Sequence, residues 1–94
     1  MASVVHQADQ CRFVIEEDGA EGELVYELND GEVAFVHTGV PQQIQNRGFA
    51  AELVAAGTTW AAAQGLVVVP QCSYVQVWLK RHLEQAGALS IRWP

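Results

Sequence analysis

The stretch EVAFVHTGVPQQIQNRGFAAELVAAGTTWAAAQGLVVVP, residues 32–70, changes its hydrophobic period twice. Its opening, EVAFVHTGVP (32–41), alternates like a strand, with Val33, Phe35 and His37 on one side, and Gly39 and Pro41 end it. Beyond Pro41, Phe49, Leu53, Ala56, Trp60 and Ala63 fall at alternating four- and three-residue steps among many alanines. That spacing predicts a helix despite Gly57 in its middle, with Gly65 placed to end it. LVVVP (66–70) is then a short, continuously apolar strand, of the kind buried on both faces in mid-sheet. Strand, helix and strand in this order form a crossover, which is right-handed and joins two parallel strands of one sheet. A ligand is expected in the crevice at the strand carboxyl ends, where the chain leaves residue 41.

The flanks complete the pattern. CRFVIEED (11–18) places Phe13 and Ile15 on one strand face. GELVYELNDG (22–31) alternates Leu24, Tyr26 and Leu28, then closes on Asn29-Asp30-Gly31, a hairpin turn signal. Past residue 70, Ser73 followed by Gln76 matches a capping box. Tyr74, Val75, Trp78 and Leu79 then form the apolar stripe of a second helix that ends near His82 or Leu83, and the tail is ambiguous, with ALSIRW either a final edge strand or irregular. Residues 1–10 are expected to be flexible. The expected class is therefore α+β: an antiparallel β-meander, then a β-α-β-α unit that makes the sheet mixed, in one domain over residues 1–94.

Composition narrows the function. Half of the 94 residues are apolar and 17% are charged, which is globular rather than disordered usage. The apolar run 66–69 is far too short to span a bilayer, and MASVVHQADQ lacks the basic start and apolar core of a signal peptide. Cys11 and Cys72 then read as reduced thiols, and the expected location is cytoplasmic. The net charge of −6 is uneven: residues 1–32 hold nine acids and one arginine, whereas residues 33–94 hold two acids and four bases. No basic cluster exists to neutralise a nucleic-acid backbone. An acidic half beside a mildly basic one suits a cationic substrate and an anionic cofactor; the plain alternative is solubility.

Gln45-Asn46-Arg47-Gly48-Phe49-Ala50 leads directly into the long helix. A helix N-terminus carries unpartnered N–H groups and partial positive charge, and Gly48 lets a ligand approach the backbone closely. Successive N–H groups of Arg47, Gly48, Phe49 and Ala50 are placed to converge on a pyrophosphate, with Arg47 as one charge-assisted contact. The hexamer matches neither a P-loop nor G-x-G-x-x-G, and the alternative is an ordinary helix start. Three side chains carry candidate chemistry. Cys72, beside the second helix N-terminus, is either a low-pKa nucleophile or an inert core thiol. The Tyr74 phenol, protonated at neutral pH, also belongs to the apolar stripe, and His37 is either an acceptor for an ammonium proton or structural. No His, Cys and carboxylate cluster has metal-ligand spacing.

Read as Q/R-x-x-G-x-G/A, residues 45–50 resemble the acetyl-coenzyme A pyrophosphate loop of the GNAT N-acetyltransferase superfamily. VHTGVP, QNRGFAAELV and GLVVVPQCSYVQVWLKRH together look like its small single-domain GNAT-like family, over about residues 11–83. The resemblance implies a shortened GNAT-type fold, without the helices that usually separate the first two strands, and acetyl-coenzyme A as co-substrate lying across the loop. It implies pantetheine held by backbone pairing along strand 66–70, at Val69, with the thioester beside the strand end. Cys72 would lie near the acetyl group, Tyr74 would protonate the leaving thiolate, and the acceptor would be a small amine or a lysine side chain. Two positions depart from the family pattern: Asn46 stands where glycine is frequent, and Gly39 where an acidic residue is common. The competing readings are a non-catalytic acyl-coenzyme A binding module and a small protein-interaction domain.

Overall fold

The computed structural model describes residues 3–94. Its centre is a six-stranded mixed sheet in which the strands lie in chain order. Strands β1 (Val4–Gln7), β2 (Arg12–Glu17), β3 (Ala20–Asn29) and β4 (Glu32–Gly39) form the antiparallel meander. Helix α1 (Phe49–Ala63) crosses over to β5 (Val67–Pro70), which pairs with β4 in parallel from Glu32 opposite Val67 to Phe35 opposite Pro70. Helix α2 (Ser73–Arg81) and the single turn α3 (Leu83–Ala86) lead to β6 (Ser90–Ile91), parallel to β5 at the sheet edge. The expected α+β class and the crossover are present, and β6 settles the ambiguous tail as an edge strand.

Both tight hairpins use left-handed backbone. Asp30 and Gly31 have φ of 43° and 79°, as a two-residue turn needs to match strand twist. Asp18 and Gly19 repeat this at 52° and 74° between β2 and β3. The expectation that residues 1–10 are flexible fails over residues 4–10. Val4–Gln7 pair with Arg12–Ile15, and Ala8–Gln10 form a 3-10 turn. Met1 and Ala2 lie outside the described residues.

One sheet face carries the core. Phe13, Ile15, Leu24, Tyr26, Val33, Phe35 and Val68 pack there against Phe49, Leu53, Val54 and Ala61 of α1 and Val75, Trp78 and Leu79 of α2. Both helices therefore cover the same face. The buried stripe of α1 runs through Leu53, Val54, Gly57, Thr58 and Ala61 rather than through Ala56, Trp60 and Ala63. Gly57 explains the offset, because a Cβ there would lie 2.8 Å from Leu24 and 3.0 Å from the Phe35 ring. The helix approaches the sheet closely at that glycine, while Trp60 packs beside it against His6, Phe13 and Tyr26. The Ser73–Gln76 capping box does not form: the N-cap of α2 is Cys72, and Gln76 Nε2 donates instead to the Pro70 carbonyl at 2.9 Å.

A bulge sets up the site. Val25 pairs with His37 but Tyr26 with Phe35, so Val36 is an extra residue on β4. The extra residue shifts the alternation by one. His37, expected beside Val33 and Phe35, projects instead from the helix-free face, whereas Thr38, opposite Leu24, takes the helix side. The registered pairs of β4 and β5 end at Phe35 and Pro70, and the Cys72 N–H closes that end on the Phe35 carbonyl at 2.9 Å. Beyond it, β4 continues to Gly39 while the other chain turns away into α2, which leaves a splay between them.

Candidate active site

The chain between β4 and α1 is a shaped loop. Gln42–Ile44 make a 3-10 turn, and the buried Ile44 anchors it in the core. Gln45 Nε2 donates to the Val40 carbonyl at 3.0 Å and so ties the loop to the end of β4. Asn46 then has φ of 64° and Gly48 φ of 83°. Asparagine tolerates this left-handed region better than other residues with a side chain, which accounts for Asn46 at a position that requires it. Gly48 is the N-cap of α1, and no side chain caps the helix. The first intrahelical bond runs from the Glu52 N–H to the Gly48 carbonyl at 3.1 Å. Among the described residues no acceptor meets the N–H groups of Phe49, Ala50 or Ala51.

These N–H groups border an open cleft of about 350 Å³. Gln45, Asn46, Gly48, Phe49, Ala50 and Ala51 line it, with Val40 and Ile44 from the β4 side and Tyr74 from α2. A Cβ added to Gly48 would meet nothing within 4 Å, so the backbone presents its bare side to free space. Uncommitted amides, a fifteen-residue helix behind them and a missing side chain fit an oxyanion group such as pyrophosphate. Arg47 alone of residues 45–51 is outside the lining. Its guanidinium turns to Asp18 at 2.8 Å, Glu17 at 3.0 Å and the Gln43 carbonyl at 3.2 Å, and those carboxylates raise its pKa. The expected Arg47 side-chain contact to phosphate is thus spent on the β2–β3 turn.

Tyr74 leaves the apolar stripe it was grouped with. Val75, Trp78 and Leu79 are buried, whereas Tyr74 is 37% exposed and faces the cleft. Partial burial raises its pKa, and the charge of Arg81 opposes this only in part, so the phenol keeps its proton at neutral pH. Cys72 sits in the splay, its thiol 3.4 Å from the Thr38 hydroxyl. Burial pushes its pKa up. Hydrogen bonds from the Thr38 hydroxyl and from the N–H groups of Val75, Tyr74 and Thr38 outweigh burial and bring the thiol below its ordinary value. Both Cys11 and Cys72 are free.

Val69 is buried at 2% exposure and registered with Ala34, and its carbonyl accepts the Gln71 N–H at 3.0 Å. That carbonyl is committed within the turn that follows β5. His37 lies across β4 from the cleft, 58% exposed, with Nε2 3.7 Å from a Glu23 carboxylate oxygen. The loop and Tyr74 thus share one cleft, Cys72 borders the splay, and His37 faces the other side of the sheet. His6, assigned by sequence to a mobile segment, is instead structural: Nε2 meets the Tyr26 hydroxyl at 2.6 Å, the ring stacks on Phe13 at 4.1 Å, and burial lowers its pKa. His82 stacks on Trp78 and bonds the Trp78 carbonyl at 2.8 Å through Nδ1. Among the described residues no group of three metal-ligating side chains forms, and no helix is long and apolar enough to cross a membrane.

Comparison with known proteins adds to this geometry. The model of the family described as GCN5-related N-acetyl-transferase matches residues 12–88. The solution NMR structure of a GCN5-like candidate N-acetyltransferase from Staphylococcus aureus superposes with a TM-score of 0.73. The superposition covers 96% of this chain and 89% of that one at 20% identity, which shows a shared fold. No curated protein matches the chain.

Proposed function

The chain belongs to the GCN5-related N-acetyltransferase family, and from that premise we propose that it moves an acetyl group from acetyl-coenzyme A to an amine, acting as a single cytoplasmic domain. The observation that carries the reading is the uncapped α1 N-terminus, where the N–H groups of Phe49, Ala50 and Ala51 and the bare Gly48 line an open cleft. Those amides bind the pyrophosphate of acetyl-coenzyme A, because an anion there gains both hydrogen bonds and the helix dipole. The loop from Gln45 to Ala50 shapes the cradle through its backbone, and Arg47 serves by holding the loop to Glu17 and Asp18. The β4 edge beyond the Thr38–Cys72 contact is available to pair with the pantetheine amides, with Val69 on the neighbouring strand.

The splay between β4 and residues 70–72 then receives the thioester. His37 takes a proton from the ammonium form of the acceptor, leaving a neutral amine with a free lone pair. That nitrogen forms a bond to the acetyl carbonyl carbon, and the carbon–sulfur bond breaks with its electron pair leaving on sulfur. Tyr74 gives its proton to the thiolate and regains one from the new amide nitrogen, so that one proton is released to water through His37. Direct transfer needs no covalent enzyme intermediate. Cys72, polarised by Thr38, supports a second route in which its thiolate carries the acetyl group before the amine does.

A helix-free sheet face offers the acceptor no enclosed pocket, and this favours one rival: a module that binds acyl-coenzyme A without turnover. The test is calorimetric titration with acetyl-coenzyme A, followed by mass-spectrometric detection of acetylated products from lysine peptides and polyamines. Binding with product formation supports the proposal, binding without product supports the rival, and no binding removes both. Full activity in Cys72→Ala would exclude the covalent route and leave direct transfer standing.

A further inference from the structure

The helix-free face carries a side-chain chain that reaches His37. Gln7 Oε1 accepts from Arg12 Nε at 2.7 Å, and Arg12 Nη1 donates to Glu23 Oε1 at 3.0 Å. The other Glu23 oxygen, Oε2, faces His37 Nε2 at 3.7 Å. Four neighbouring strands thus contribute one residue each: Gln7 from β1, Arg12 from β2, Glu23 from β3 and His37 from β4. The register explains the reach, since Glu23 lies directly opposite Gly39. A Cβ at Gly39 would stand 2.9 Å from His37 Nε2, so the imidazole lies over the bare glycine as it leans toward that carboxylate. Arg12 fixes one oxygen of Glu23 and thereby aims the other.

We propose that Glu23 is a positioning residue for His37, and that the pair receives a cationic amine acceptor arriving on the helix-free face of the sheet. This rests on the acetyl-transfer reading above. The approach follows from the layers: α1, α2 and the core occupy one face, and His37, next to Thr38 on β4, stands on the open side of that strand. A carboxylate beside Nε2 favours the proton on that nitrogen and leaves Nδ1 with the lone pair that accepts from the ammonium. The Glu23 carboxylate gives the place beside His37 the charge sign that suits a cation.

The test compares Glu23→Gln with Glu21→Gln, which remove the same charge from the same face and the same arginine. Expected for Glu23→Gln is a fall in kcat of about tenfold or more with unchanged acetyl-coenzyme A affinity, while Glu21→Gln keeps kcat within about twofold. Independently of activity, long-range nitrogen–proton NMR correlations of His37 should show the Nε2–H tautomer in the wild type and a mixture in Glu23→Gln. Equal kinetic effects of the two variants would overturn the positioning role, as would a wild-type Nδ1–H tautomer. Loss of wild-type turnover with every amine would instead strike the acetyl-transfer reading, and the tautomer result still decides whether Glu23 orients His37.

Discussion

Two glycines at opposite ends of α1 separate backbone strain from ligand binding. Gly48 precedes the helix with φ of 83°, and Gly65 follows it with φ of 68°. Added Cβ atoms at either position would meet nothing within 4 Å. Gly65 lies in the bonding pattern of a left-handed helix stop, with its N–H on the Ala62 carbonyl and the Leu66 N–H on that of Ala61. Replacing either with alanine forces an L side chain into the left-handed region, at a cost of about 1–2 kcal/mol. For a domain of this size each variant should lose about 4–8 °C of Tm per kcal/mol. The two differ in what the methyl group faces. At position 48 it enters the cleft where phosphate would pack on the bare Cα. Losing one charge-assisted hydrogen bond of about 1.5–3 kcal/mol weakens binding roughly 10–100-fold. Circular-dichroism melting and calorimetric titration with acetyl-coenzyme A on both variants measure the two effects separately. Similar Tm losses with an affinity loss confined to Gly48→Ala are expected. Equal affinities in the two variants would refute the cradle.

Three further outcomes are expected. Gly57→Ala gains about 1 kcal/mol of helix propensity but pushes a methyl into Leu24 and Phe35, so overpacking of about 1–3 kcal/mol should win and lower the Tm; a higher Tm would mean the core yields at that contact. Because burial lowers the His6 pKa in the folded state, the unfolded chain binds more protons as pH falls through about 6.5, and stability drops. Urea melts between pH 7.5 and 5 should show that loss in the wild type and less of it in His6→Phe. Thr38→Val removes the strongest hydrogen bond favouring the Cys72 thiolate over burial, so alkylation of Cys72 at pH 7 should slow severalfold; an unchanged rate would leave the backbone N–H groups as the main influence.

Much of this arrangement is legible in the chain. The change from period two to helical spacing after Pro41, and the apolar run 66–69, locate the crossover because burial imposes those periods directly. The second hairpin was also readable, since Asp18-Gly19 is the same turn signal as Asp30-Gly31. Other features depend on tertiary contacts that leave no local trace. The bulge at Val36 involves neither glycine nor proline, so strict alternation put His37 on the wrong face. Val4–Gln7 is too short to announce a strand; it is held by its pairing with β2 and by His6 among Phe13, Tyr26 and Trp60. Tyr74 shares helical spacing with Trp78, and only the position of α2 beside the loop turns it to the cleft. Arg47 looked free because its partners, Glu17 and Asp18, lie some thirty residues away in sequence.

The central claim is that the first amides of α1 bind the pyrophosphate of acetyl-coenzyme A. Its most direct test is an amide nitrogen–proton NMR titration of the isotope-labelled chain with acetyl-coenzyme A. Saturable shifts concentrated at Gly48, Phe49, Ala50 and Ala51, reaching Thr38 and Tyr74, are the expected result. Saturable shifts elsewhere that leave Gly48–Ala51 unmoved, or no shifts at all, would contradict it.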